Sequence, residues 1–229
     1  MIDELLPDSV VAVEAYGDDE TDRAPLHPEE EEVVARAVDK RRREFSAVRA
    51  CARRAMAKLG VPPVAVLPGE RGAPQWPQGL IGSMTHCDGY RAAALARAAD
   101  LASLGIDAEP HGPLPDGVLP SVSLPVERER LTLLSARQPA VHWDRLLYSA
   151  KESVYKAWFP LTGTWLDFGE ADIEIHVSPG SASHGRFRAE LLVPGPVVGG
   201  RRLGHFEGRW TVGRGLVATA VTIPHVRSQ

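Results

Sequence analysis

Apolar residues recur along this chain in two rhythms, and His142–Phe159, reading HWDRLLYSAKESVYKAWF, carries the clearer one. Trp143, Leu146, Leu147, Ala150, Val154, Ala157 and Trp158 fall at steps of three and four, which predicts an amphipathic helix. At about 100° per residue, Glu152 points almost opposite the centre of that apolar arc. Tyr148, Tyr155 and Lys156 share its polar side, and Lys151 sits at the flank. A second helix is predicted from Pro28 through Leu59, stopping at Gly60 with Pro62 and Pro63 beyond. Its core stripe is Phe45, Val48, Ala52, Met56 and Leu59. Arg49 falls at the edge of that stripe, where a long side chain either buries its stem or reaches an anion.

The other rhythm is alternation. It predicts strands over 8–16, 64–67 and 101–109, and a hairpin of LIGSMTH and YRAAALA around Cys87-Asp88-Gly89. Further strands are predicted over roughly 171–177, 186–193, 205–212 and 215–223. Residues 17–28, 68–79 and 111–125 read as loops, and a short helix is expected over 126–136. With no regular succession of strand and helix, the expected class is α+β with antiparallel sheets. The hairpin LIGSMTHCDGYRAAALA echoes FEGRWTVGRGLVATAVT, a faint internal repeat. We therefore expect two similar α/β halves, 1–103 and 104–229, meeting over a cleft.

Composition narrows the field only slightly. A formal charge of −4 over 229 residues gives no general reason for nucleic-acid or membrane binding, although acidic Glu29–Glu32 and basic Lys40–Arg43 lie close together. No apolar run approaches the ~18 residues that span a bilayer. Two cysteines, Cys51 and Cys87, make no disulfide framework, and no secretory leader is evident, so a reducing, cytoplasmic setting is expected.

Candidate chemistry gathers around GIDAEP, Gly105–Pro110. Asp107 and Glu109 are two apart, so a strand projects both carboxylates from one face. Joined by Glu152, they would suit a hard divalent cation such as Mg²⁺. Thr85 and His86, near the hairpin turn, offer a hydroxyl and an imidazole to an oxyanion. Each feature also has a plainer reading: a solvated helix face for the Glu and Lys pair, and a surface histidine for His86.

Taken in order, GAPQWPQGLIGSMTHC at 72–87, GIDAEP at 105–110 and WDRLLYSAKESVYKAW at 143–158 resemble the Sfp-type 4′-phosphopantetheinyl transferases. The helical stretch RRREFSAVRACAR adds to the match. The resemblance implies a monomer with a pseudo-two-fold pair of α/β halves and coenzyme A in the cleft between them. It implies transfer of the phosphopantetheine arm to a serine of an acyl or peptidyl carrier protein, releasing adenosine 3′,5′-bisphosphate. By motif, Asp107, Glu109 and Glu152, with the carbonyl of Ala108, match the Mg²⁺ ligands, Mn²⁺ being an alternative ion. Arg41, Arg49, the loop Arg71, Gly72, Ala73 and Pro74, and Thr85, His86, Lys151 and Lys156 match positions near coenzyme A. Tyr155 and Trp165 match positions along the pantetheine path. Catalysis would rest on Glu152, Lys156 and Asp107. The rivals are a metal-dependent phosphohydrolase or nuclease, which would need further acidic or histidine ligands, and a non-catalytic coenzyme A or nucleotide-binding module. The latter has little use for Glu152 and Lys156 together.

Overall fold

The structure is a computed structural model and describes residues 1–17 and 25–225. Most of the loop expected at 17–28 lies outside the described residues. Strand β1 (Val10–Tyr16) is followed by α1 (Pro28–Val33) and α2 (Asp39–Lys58), then β2 (Leu80–Cys87), β3 (Tyr90–Arg97) and β4 (Leu101–Pro110). After these come α3 (Leu119–Val122), α4 (Pro125–Arg137) and α5 (Trp143–Thr162). The chain continues through β5 (Ala171–Val177), β6 (His184–Leu191), β7 (Val197–Val198) and β8 (Arg201–Arg202). It closes with β9 (His205–Gly213) and β10 (Leu216–Pro224).

The expected hairpins form, and the α+β class with antiparallel sheets holds. The helix expected over 28–59 is two helices, broken at Val34–Val38, where Val38 takes an extended φ of −64° and ψ of 155°. The strand expected over 64–67 is not paired in a sheet, and only Pro68 and Pro74 form an isolated bridge nearby.

The faint repeat proves architectural. One sheet runs β1-β3-β2, a second β4-β10-β9-β6-β5, and β7 and β8 pair by themselves, so the order β1-β3-β2 recurs as β4-β10-β9. Helix α2 packs on the first sheet and α5 on the second. A deeper echo lies at the helix starts. Pro28 and Pro125 each open a helix, and the glutamate two residues on, Glu30 or Glu127, is buried. Each carboxylate bonds a distant backbone N–H (Val66 at 2.8 Å, Ile173 at 2.7 Å) and a cation from the following long helix, Arg53 or Lys151.

Between the sheets there is no strand ladder. Instead, hydroxyls of β2 accept from peptides of β4: Ser83 Oγ from Ile106 N–H at 3.0 Å, and Thr85 Oγ1 from Ala108 N–H at 3.1 Å. On the other side of β4, α5 comes so close that a Cβ on Gly105 would lie 2.1 Å from the Ser153 carbonyl oxygen and 2.6 Å from the Ala157 nitrogen. The apolar arc of α5 is buried as its spacing required, with Trp143, Leu146, Leu147, Ala150, Val154, Ala157 and Trp158 all in the core. The stretch 111–125, expected as a loop, contains α3. Leu114 and Val122 are buried, and Leu119 packs on the core of the second half.

Because backbone cannot move aside as a side-chain tip can, Gly105→Ala is expected to cost roughly 3 kcal/mol, the upper range of overpacking. Gly112→Ala, where an added Cβ meets nothing within 4 Å, should be nearly neutral. Thermal unfolding of the two variants compares them directly.

Candidate active site

A cleft of about 600 Å³ opens between the halves. Its first wall comes from α1, α2, the 68–74 loop and β2, with Phe45, Val48 and Trp76 giving apolar surface. Its second comes from β4 and α5, through Ser103, Leu104, Glu152, Tyr155, Lys156 and Phe159. Of the residues singled out in the sequence, Arg41, Arg49, Arg71, Gly72, Ala73, Pro74, His86, Glu152 and Lys156 all line this one space. Four of them are Arg or Lys, so the cleft is cationic in a chain whose net charge is negative.

Arg49 both packs and faces the cleft. Its guanidinium lies 3.3 Å from the centre of the Phe45 ring, and its Nε donates to the Val66 carbonyl at 3.3 Å. Burial pulls its pKa down to about 10, against the opposing pull of Glu30. Its terminal nitrogens make no hydrogen bond among the described residues, which leaves them for a ligand. Arg41 donates to His86 Nε2 at 3.1 Å, and Glu44 lies 3.8 Å from Nδ1. His86 is held below the usual histidine pKa, first by desolvation and then by the cations Arg41 and Lys156, with Glu44 opposing. Arg71 sits in the left-handed region at φ 52°, beside Gly72 at φ 77°. That turn lays its guanidinium 5.5 Å from the Trp165 ring of the other half, which in turn meets the Tyr155 ring at 4.8 Å with the planes tilted by 55°.

Deeper in, α5 brings Lys156 to β4. Its ammonium donates to Asp107 Oδ1 at 2.7 Å and to the Ile106 carbonyl at 3.2 Å. Thr85 does not line the cleft. Its hydroxyl stands behind the site, donating to Asp107 Oδ1 at 3.3 Å, and so positions that carboxylate. Asp107 Oδ2 is buried and has no hydrogen-bond partner. Glu152 is held above the usual carboxylate pKa by burial and by Asp107, with Lys156 opposing. Glu109 is also raised, by burial and by Asp107, although Arg145 lies on it at 3.0 Å.

The three carboxylates thus share one field without being drawn together. No three His, Cys, Asp or Glu side chains among the described residues are gathered as a metal site. The cause is local: Lys156 holds Asp107 and Arg145 holds Glu109. Ala108 is fully buried opposite Ala218. Even so, an orphaned carboxylate oxygen beside a desolvated carboxylate fits a hard cation, which would meet the unsatisfied valence.

Lys151 does not reach the cleft. It is 4% exposed and is held by Glu127 at 3.0 Å and by the carbonyls of Phe168 and Ala171, at the flank where α5 meets α4 and β5. Sequence reasoning missed Arg145, which also holds the carbonyls of Gly112 and Pro113. Helical phase carries its signal, because positions 145, 152 and 156 share one face of α5.

A cationic cleft with apolar walls and a desolvated carboxylate beside it suits a ligand that carries phosphate and an apolar part. Comparison with known proteins makes this specific. Residues 29–96 match the 4′-phosphopantetheinyl transferase N-terminal domain, and residues 103–193 match the 4′-phosphopantetheinyl transferase superfamily. The chain is 63% identical over 224 residues to the 4′-phosphopantetheinyl transferase Svp of Streptomyces mobaraensis, covering 97% of this chain and 89% of that one. It is 53% identical to Npt of Nocardia iowensis, with 96% and 99% covered. It is 46% identical to PptT of Mycobacterium tuberculosis, with 97% and 98% covered. The chain belongs to the 4′-phosphopantetheinyl transferase superfamily, and its relatives are transferases along essentially their whole length.

The position of Lys151 generates a prediction. Lys151→Met leaves Glu127 buried without its cation, which typically costs about 3–5 kcal/mol. The melting temperature should fall while the KM for coenzyme A stays within about twofold, read by parallel thermal and kinetic assays.

Proposed function

We propose that the chain transfers the 4′-phosphopantetheine arm of coenzyme A to a serine of apo acyl or peptidyl carrier proteins, with Mg²⁺ or Mn²⁺ bound at Asp107 and Glu152. The observation that carries this reading is the convergence of both halves on one cationic cleft, lined by Glu152 and by Lys156, whose ammonium holds Asp107. The halves divide the work: 1–103 supplies Arg41, Arg49, Arg71 and His86 to the phosphates and adenine, and 104–229 supplies the metal site and the catalytic helix. Arginines and the 71–74 loop meet phosphate oxygens through charge-assisted hydrogen bonds. Apolar surface from Phe45, Val48 and Trp76 suits the adenine and the arm.

The divalent ion, when bound, supplies charge neutralisation and Lewis acidity at the pyrophosphate. Asp107 Oδ2 and the Glu152 carboxylate would hold it, with Glu109 joining once released from Arg145 and the carbonyl of Ala108 as a further ligand. Glu152, directly or through a water, takes the proton of the carrier serine as its Oγ attacks the phosphorus bearing the pantetheine arm. The bond to the nucleotide breaks, and adenosine 3′,5′-bisphosphate leaves with its negative charge facing Lys156 and the arginines. One chain carries both walls of the cleft, which supports a monomer. No helix among the described residues is long and apolar enough to cross a membrane. Two cysteines without a disulfide framework suit a cytoplasmic setting.

Incubation with an apo carrier protein, coenzyme A and Mg²⁺ should add one phosphopantetheine mass to the carrier in an intact-mass spectrum. EDTA should abolish the gain and excess Mg²⁺ restore it, whereas an unchanged carrier mass overturns the proposal. His86 gives a second check. Its pKa is depressed in the free protein, and a phosphate beside the ring favours imidazolium, so binding takes up a proton. Coenzyme A affinity should therefore rise as pH falls from 8 towards 6. Calorimetry in buffers of different ionisation enthalpy should read that uptake in the wild type and lose it in His86→Gln.

A further inference from the structure

We infer that Glu30, a residue outside the cleft, is a positioning residue that sets the phosphate grip of Arg49. The inference rests on the coenzyme A reading of the cleft. Glu30 is 0% exposed at the third position of α1, and all of its bonding is backbone or guanidinium. Oε1 accepts from Val66 N–H at 2.8 Å, and Oε2 accepts from Arg53 Nη1 at 2.8 Å and from His27 N–H at 3.0 Å. The Val66 peptide is therefore held from both ends, its N–H by Glu30 and its C=O by Arg49 Nε.

This two-ended hold gives Arg49 its direction. With Nε fixed on Val66 and the plane of the guanidinium resting on Phe45, the terminal nitrogens are turned to the cleft before any ligand arrives. The 64–67 segment has no sheet partner; Gln75 N–H bonds the Leu67 carbonyl at 2.9 Å and the Val66 side chain is buried, and Glu30 and Arg49 hold the Val66 backbone itself. Arg53, one helical turn beyond Arg49 on α2, is occupied by Glu30 and the Pro25 carbonyl. A single buried carboxylate thus neutralises one arginine of the pair and orients the other. Preorganisation of this kind raises affinity by removing the ordering cost at binding.

The molecule contains its own control. Glu127 is the counterpart of Glu30 in the second half, buried at the same helix position, holding Ile173 N–H and Lys151. No arginine of the cleft depends on it. If Glu30 acts only as a structural clamp, the two glutamates should behave alike.

The test compares Glu30→Gln with Glu127→Gln in the full chain. Both are expected to lower the melting temperature. Only Glu30→Gln should raise the Kd and KM for coenzyme A, by about tenfold, the size of one charge-assisted hydrogen bond, with kcat and the carrier KM nearly unchanged. In an Arg49→Ala background the added effect of Glu30→Gln on coenzyme A should vanish, because the two act as one unit. Should Glu30→Gln not fold, Arg53→Gln provides the same comparison. It removes the competing guanidinium and draws Glu30 towards Arg49, so the coenzyme A Kd should again rise without a change in the carrier KM. Equal coenzyme A affinity in these variants and the wild type, or an undiminished effect in the Arg49→Ala background, overturns the inference. Calorimetry on the wild type separates the two readings, since a wild type that fails to bind coenzyme A sinks the proposed function instead.

Discussion

The site depends on how closely α5 lies against β4. At Gly105 the helix backbone comes within the space a Cβ would need, and no larger residue leaves that gap open. Ser103 donates to the Ala157 carbonyl at 2.7 Å, and on the neighbouring β10 the Thr219 hydroxyl meets that of Ser149 at 3.0 Å, so α5 is fixed on the sheet by polar bonds as well as by packing. Two consequences follow from this single approach. Lys156 can reach the end of Asp107, and Glu152 is held in a partly desolvated position beside it. A helix displaced by one side-chain layer would carry the same residues with none of the electrostatic coupling between them.

Charge in the cleft is arranged in two tiers. Near the mouth, Arg41, Arg71 and His86 are open to solvent and suit the capture of a mobile anion. Deeper in, Arg49 and Lys156 are fixed by partners, and these are where charge is strongest, because water screens them less. The carboxylates lie at the inner end, held by resident cations. This ordering suits a substrate that is both anionic and about to gain charge at one bond.

Much of this was legible in the sequence. The apolar stripe of α5 fixed which face of the helix met water and therefore which face carried Glu152 and Lys156. The spacing of Asp107 and Glu109 placed both on one side of β4. The hairpin turn at Asp88-Gly89 and the echo in the last two strands pointed to two similar halves, and the strand order β1-β3-β2 does recur as β4-β10-β9. What could not be read was which charged groups are claimed by neighbours distant in sequence. Helical phase puts Lys156 on the polar side and Lys151 at the flank, but only the packing of α4 shows that Lys151 is buried on Glu127 rather than turned to the cleft. Thr85 looked like a ligand of the cleft, and its hydroxyl turned inward because β4 needed an acceptor. The break between α1 and α2 was also hidden, since Val34–Val38 has no proline or glycine to mark it.

The hydroxyls of Ser83 and Thr85 have a meaning beyond the site. Strand β4 is the outer strand of its sheet, and such a strand normally presents a row of N–H groups that can recruit a foreign strand. Here two of those groups are taken by side chains of the other half, so the seam is sealed without a ladder. Either half on its own would carry an open β edge at this seam. The fold is thereby safeguarded against pairing with other chains at the one edge where its halves meet, and one of the residues that seal it, Thr85, also holds Asp107 in place.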